Sequence, residues 1–394
     1  MPVTTTAHHS VPLHRVGPPR PAMIGMLSTY PPTQCGLATF SAALIQHLHL
    51  SPGPVGVVRV VDEPAPESDP DVVAQLVNGS AGSARAAVGH LNSFDAVIVQ
   101  HEYGIYGGPD GADVLDIVEA LTVPAIVVLH TVLQDPSERQ RHILLRLLSM
   151  AAVVVTMTET ASRRLVARYG ADPASLAVIP HGAFDHGPVD PGERSADGRP
   201  LILTWGLIGP GKGIEWAIDA VADLRDLNPR YLVIGRTHPK VVQRDGEAYR
   251  EGLLRRAQAG GVQDVVELDD RYLDVGELAA LVQRADVVLL PYDSREQVTS
   301  GVLIEAVAAG RPVVSTAFPH AIELLADETG IVVPQRDPAA LGAALRRVLS
   351  EPGLADGLAG QAARKAPELL WAAVAGRYRT IAATLVAAGA AEAS

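Results

Sequence analysis

A chain of 394 residues is too long for a single hydrophobic core, and its 47% apolar content suffices for two; with 4% aromatics, those cores must be built from Val, Leu, Ile and Ala. The formal charge of −12 excludes a nucleic-acid binder that works by phosphate neutralisation, although it leaves room for a local basic cleft that takes a small phosphorylated ligand. With Cys35 the one cysteine, no intramolecular disulfide can form, and a reducing, cytoplasmic compartment is expected.

Residues 1–20, "MPVTTTAHHSVPLHRVGPPR", have no continuous apolar core and read as a disordered tail, not a signal peptide. No stretch stays apolar for the ~18 residues a spanning helix needs, so a soluble protein is expected. From residue 21 onward, short aliphatic runs alternate with longer amphipathic ones. "AMIGML", "VGVVRVV", "FDAVIVQ", "PAIVVLH", "AAVVVTM" and "LAVIPHG" form a first set of strands. "PLILTWG", "RYLVIG", "DVVELDD", "ADVVLLP", "RPVVST" and "GIVVP" form a second. Near-continuous apolar runs suit parallel strands covered on both faces, and strand alternating with helix gives a doubly wound α/β sheet. The fold class is therefore α/β, with two Rossmann-like domains. The expected division is an N-terminal domain of residues 21–182, a Gly-, Pro- and Asp-rich linker over 183–199, and a C-terminal domain of 200–371. A C-terminal helix of about residues 372–394 is expected to join the N-terminal domain, and Trp371, just before it, falls on one helical face with Tyr378.

Ligands of such sheets bind beyond the carboxyl ends of the strands, so the polar residues there are the candidates. The first strand leads into "STYPPTQCGLATF", where Gly36 lets backbone approach a ligand at a helix start; without G-x-G-x-x-G, a plain tight turn explains it equally. His101 and Glu102 follow "FDAVIVQ", His130 follows "PAIVVL", and His181 follows "LAVIP". "HEYGI" is no zinc motif, because Ile105 occupies the place of the second histidine. Any of these histidines can simply cap a strand; His130, in a short strand-end turn, is read as functional. In the second half, the glycine turn from Gly206 to Lys212 precedes a helix, a reasonable diphosphate contact. No G-x-x-x-x-G-K-S/T is present, since Gly213 follows Lys212. "EQVTSGVLIEAVAAGRPVV" places a helix start, capped by Thr299 or Ser300, at the carboxyl edge of the second sheet. Its free N–H groups at Gly301 and Val302 would hold an anion, and Glu305 could reach sugar hydroxyls. Asp269 and Asp270 lack partners at ligand spacing, so no metal site is expected.

Gly206 with Lys212-Gly213, Glu305 in "LIEAVAAGRPVVST", "IPHG" at the linker and His130 after a strand together resemble the retaining glycosyltransferases of family 4 (glycosyl transferase group 1), which have the GT-B fold. The resemblance covers about residues 21–394. It implies that Lys212 binds the donor diphosphate, that Gly301 and Val302 N–H groups hold phosphate and sugar, that Glu305 binds the ribose, that His130 contacts the transferred sugar, and that the Gly36 loop closes on the donor. Two departures stand out. The family's Glu-x7-Glu pair has Gln297 in its first place, with Glu296 one residue out of register. An arginine expected after Gly206 is Leu207, and Arg236 or Arg271 is the candidate replacement. The catalytic set is thus His130, Lys212 and Gln297; the donor set is Gly36, Gly206, Arg236, Arg271, Thr299, Ser300, Gly301, Val302 and Glu305; His101 and Glu102 lie on the acceptor or sugar side.

The resemblance further implies transfer of a hexose, with mannose from GDP-mannose preferred, from a nucleotide-diphosphate sugar to a carbohydrate or glycolipid acceptor, with retention and without metal or cofactor. A sugar-nucleotide epimerase and a catalytically degenerate nucleotide-sugar-binding protein are the alternatives. The helix in "SERQRHILLRLLSMA" reads as a core helix with a charged outer face, contact with an anionic membrane being the alternative. The Ala, Arg, Val and Gly bias suggests a GC-rich bacterial source.

Overall fold

The computed structural model describes residues 20–67, 69–185, 187 and 198–392. The expected N-terminal tail up to residue 19 and most of the expected linker therefore lie outside the described residues. Seven parallel strands form the first sheet: β1 (Ile24–Ser28), β2 (Val55–Val61), β3 (Val72–Val77), β4 (Ala96–His101), β5 (Ala125–Leu129), β6 (Val153–Thr156) and β7 (Leu176–Val178). Six form the second: β8 (Leu201–Trp205), β9 (Arg230–Ile234), β10 (Val266–Asp269), β11 (Val287–Leu290), β12 (Val313–Thr316) and β13 (Ile331–Val333). Every aliphatic run expected as a strand is one. The seventh strand of the first sheet, β3, escaped the pattern because it is an edge strand of "VVAQLV" with one fully buried residue, so its burial is too uneven to show as an aliphatic run.

The strand orders are β3-β2-β1-β4-β5-β6-β7 and β10-β9-β8-β11-β12-β13. In each sheet the order reverses beside the first strand, between β1 and β4 and between β8 and β11. At such a switch point the loops leaving two adjacent strands diverge to opposite faces and open a crevice. The central strands are buried on both faces, as in β1, where all five residues are inaccessible. Helices complete two apolar layers per domain.

The long last helix, Trp371–Glu392, belongs to the first domain by packing. Trp371, Val374, Ala375, Tyr378 and Ala382 join Ile24, Met26, Phe40 and Leu44 in one cluster. The chain returns to the first domain beside the place where it left: Ala183 N–H donates to Leu369 O at 2.8 Å and Trp371 N–H to Ala183 O at 2.9 Å. The loop before the helix Gly301–Ala308 also docks on the first domain, where Val298 is buried in that domain's core and Thr158 Oγ donates to Val298 O at 3.1 Å. No helix among the described residues is long and apolar enough to cross a membrane.

Candidate functional site

The two switch-point crevices face each other across one cavity of ≈ 620 Å³. Its C-domain wall starts with a backbone that has no room for side chains. Gly206 follows β8 with φ +113°, and Gly235 follows β9 with φ +141°; a Cβ on Gly235 would stand 2.1 Å from Gly206 O. These are conformations that only glycine adopts without strain. Beyond them Trp205, Ile234, Leu273, Val275 and Leu278 give an apolar recess, with Arg236 and Arg271 at its edge. Arg236 donates to Gln34 Oε1 across the cleft at 3.3 Å, whereas Arg271 is folded back on Asp269, 2.7 Å away.

The helix Gly301–Ala308 points its start into the cavity. Ser300 is the N-cap: its hydroxyl accepts the Leu303 N–H at 3.3 Å. The Ser300 N–H donates to His320 Nδ1 at 2.8 Å, so a buried histidine fixes the angle at which the helix begins. Gly301 and Val302 line the cavity, and first-turn N–H groups have no partner within their helix. A Cβ on Gly301 would lie 2.9 Å from the His181 ring, so the glycine admits the other domain's histidine. One turn on, Glu305 also lines the cavity, its carboxylate 3.4 Å from the Phe184 N–H. Thr299 Oγ is buried at the cavity wall with no hydrogen-bond partner, and the Gln297 amide donates to Thr299 O.

The N-domain wall is aromatic and mostly neutral. The Phe40 ring meets His130, His181 and Trp371 edge-on, with centroids 4.9, 5.0 and 4.9 Å away. Burial pushes His130 down to about 3, with His181 and His101 adding repulsion, and burial pushes His181 down to about 4. Both rings are neutral near pH 7. His130 Nε2 pairs with Gln100 Oε1 at 2.7 Å, which makes Nε2 the protonated nitrogen and leaves Nδ1 as an acceptor. Glu102 accepts the Thr131 hydroxyl and, at 3.1 Å, the Tyr103 N–H; burial raises its carboxyl above the ordinary value.

The cavity thus gathers Gly36, Glu102, His130, Gly206, Arg236, Arg271, Gln297, Thr299, Gly301, Val302 and Glu305. Three expected residues stand elsewhere. Ser300 is buried behind the cavity wall as the cap of the helix that starts there. His101 is fully buried at the end of β4, its ring edge-on to Tyr103, so that Glu102, one residue later, takes the cavity place. Lys212 does not line the cavity: its ammonium lies 4.1 Å from the Tyr292 ring centroid, held by cation–π attraction. Sequence reasoning missed Phe40, Thr131 and Trp205 in the cavity and His320 behind it. Nothing in an isolated sequence links His320 to Ser300.

Two Rossmann-like domains meeting in this way define the GT-B fold. Anabaena HepE, solved with UDP and glucose, superposes with a TM-score of 0.74 at 15% identity, over 92% of this chain and 100% of that one. WaaG, a glycosyltransferase involved in lipopolysaccharide biosynthesis, superposes with a TM-score of 0.64 at 18% identity, over 91% and 99%. Residues 199–351 match the family model described as "Glycosyl transferases group 1". The D-inositol 3-phosphate glycosyltransferase of Kineococcus radiotolerans is 29% identical over 245 residues, which are 56% of this chain and 54% of the relative. The chain thus spans about half the length of that relative. The protein of the same name from Streptomyces bingchenggensis is 28% identical over 353 residues, 82% of this chain and 74% of the relative.

Proposed function

We propose that the chain is a retaining glycosyltransferase that moves a hexose from a nucleotide-diphosphate sugar to a hydroxyl acceptor, with GDP-mannose the donor to test first. The observation that carries this reading is the opposition, across one cavity, of the helix start at Gly301 and Val302, with Glu305, to His130, Glu102 and Thr131. The match of residues 199–351 and the names of the relatives support it. The helix start would hold the diphosphate, Glu305 the ribose hydroxyls and the apolar recess the base. As the glycosidic bond breaks, negative charge grows on the leaving phosphate. Preorganised N–H groups and Lys212, swung on its flexible stem from Tyr292, would stabilise that charge. The leaving phosphate would accept the proton of the attacking hydroxyl. No step calls on a metal or cofactor, and a cytoplasmic site of action, with membrane contact limited to a docking surface, fits this chemistry.

The test is a thermal-shift panel of GDP-, UDP- and ADP-sugars on wild type and Lys212→Ala, followed by product analysis. A ligand that binds only the folded state raises the melting temperature by mass action. One nucleotide should give a shift that the variant reduces, with acceptor-dependent transfer. No shift with any nucleotide overturns the proposal. Binding without transfer or hydrolysis would instead favour a nucleotide-sugar-binding protein, and interconversion of the donor without an acceptor would favour an epimerase.

A further inference from the structure

The two walls of the cavity differ in charge. The C-domain wall contributes two cations, Arg236 and Arg271, and one carboxylate, Glu305. The polar side chains of the N-domain wall include Gln34, Cys35, Thr39, Glu102, His130, Thr131 and His181. Burial keeps both of these histidines uncharged near neutral pH. Glu102 is the one carboxylate of this wall among the described residues. Two arginines approach the wall's flanking loops, and both are committed. Arg59, 4% exposed, donates to Glu67 at 3.1 Å and to Thr33 Oγ at 3.3 Å. Arg164 donates to Val132 O at 2.6 Å and to Glu296 at 2.8 Å. Across the mouth, the exposed Lys240 reaches Gly104, its Nζ 2.7 Å from where a Cβ there would stand, and its charge acts on Glu102.

An ionised carboxylate has about four acceptor positions. Glu102 spends two, on the Thr131 hydroxyl and the Tyr103 N–H. The remainder suit a hydroxyl or ammonium donor, in a charge-assisted bond. A phosphate dianion beside Glu102 would face a carboxylate; the cations that reach this side among the described residues, Arg236 at Gln34 and Lys240 at Gly104, come from the other domain.

We infer that the acceptor is a neutral or amino-bearing polyol without a phosphate group, and that Glu102 is the contact that selects it. The inference rests on the transferase reading above. It also separates this chain from relatives whose names specify a phosphorylated inositol.

The experiment uses the full chain and the donor found by the thermal-shift panel. Transfer is measured to myo-inositol, glucose and glucosamine, and to inositol 3-phosphate and glucose 6-phosphate. The best unphosphorylated acceptor should exceed either phosphorylated one by at least about tenfold in kcat/KM. Glu102→Gln, checked for folding by circular dichroism, should raise the acceptor KM and shrink that preference at least about threefold. Equal or better use of a phosphorylated acceptor overturns the inference while leaving the transferase reading intact; its loss in Lys240→Ala would name the cation responsible. Donor hydrolysis with transfer to none of the unphosphorylated acceptors also counts against it. No turnover of any donor removes the transferase reading, and this inference with it.

Discussion

Single residues of the site are constrained by backbone more than by side-chain identity. Gly235 is the strictest case, since its φ of +141° and the 2.1 Å approach to Gly206 O leave an added methyl nowhere to go. Gly235→Ala should cost about 3 kcal/mol or more and abolish nucleotide binding, because the two glycine turns would have to separate. Urea unfolding and thermal shift check both effects, and wild-type values in either would show that the turns are not a rigid pair. The buried histidines make a different prediction. Burial pushes His101 and His181 from 6.5 down to about 4, and His130 and His320 to about 3. Their folded pKa values lie below the unfolded ones, so the unfolded chain binds the extra protons. Stability is complete above pH 6.5 and falls as pH drops toward 4, by roughly 1–3 kcal/mol per ring. His101, with both ring nitrogens unpartnered, is the cleanest probe. His101→Leu should flatten the fall in melting temperature between pH 7 and 5 and leave stability at pH 7 unchanged or higher, since it removes a buried polar group that has no partner. A slope as steep as that of wild type would contradict a neutral, unpartnered ring.

Elements explain why some of this was legible in the sequence. Nine of the twelve aliphatic runs are central parallel strands, covered on both faces, and continuous hydrophobicity follows from that; the other three, β7, β10 and β13, lie at sheet edges and show as short aliphatic runs all the same. The edge strand β3 pays no such penalty for Gln75, whose amide instead donates to Ala65 O at 2.7 Å, so its pattern dissolves. The segment before the helix Gly301–Ala308 was half legible. Ser300 as cap and Glu305 as a cavity residue follow from local chemistry, but the displaced carboxylate at Glu296 does not. Its partners lie in the other domain: Arg164, 132 residues away, and the Gln134 N–H, each at 2.8 Å. Glu323 acts likewise, accepting the Glu159 and Thr160 N–H groups at 2.8 and 2.7 Å and so capping a first-domain helix from the second domain. Gln297 faces the cavity because Glu296 is used to fasten the domains. Arg164→Ala leaves Glu296 without its cation and frees the Val132 carbonyl. It should lower stability by about 2 kcal/mol, and small-angle scattering should show a larger radius of gyration as the cleft opens. An unchanged radius would mean that Glu323 and Val298 hold the domains without it.

At the scale of the molecule, Trp371 joins what the sequence keeps far apart. The seven-residue spacing of Trp371 and Tyr378 marked an apolar helix face, but not what it covers. In the fold, Trp371 closes the floor of the cavity beside Phe40 and His181, at the point where the chain crosses between domains. Gly182 is small because the indole lies against it: a Cβ there would come within 2.1 Å of the ring. The C-terminal helix is therefore held to the first domain by a residue that also shapes the site, so stability and function should fail together. Trp371→Ala should cost about 3–5 kcal/mol, as for a fully buried large aromatic. The loss should be local in origin. Hydrogen exchange should quicken in the helix Gly36–Leu48 and in Trp371–Glu392 while the β8–β11 core keeps its protection, because the contacts removed belong to the first domain's cluster. Trp371→Phe should recover most of the stability, since the indole N–H makes no hydrogen bond that a phenyl ring would lose. Equal loss of protection in both domains would instead mean that the two sheets unfold as one unit, and that the crossing at Ala183 and Leu369, more than the cluster around Trp371, transmits stability between them.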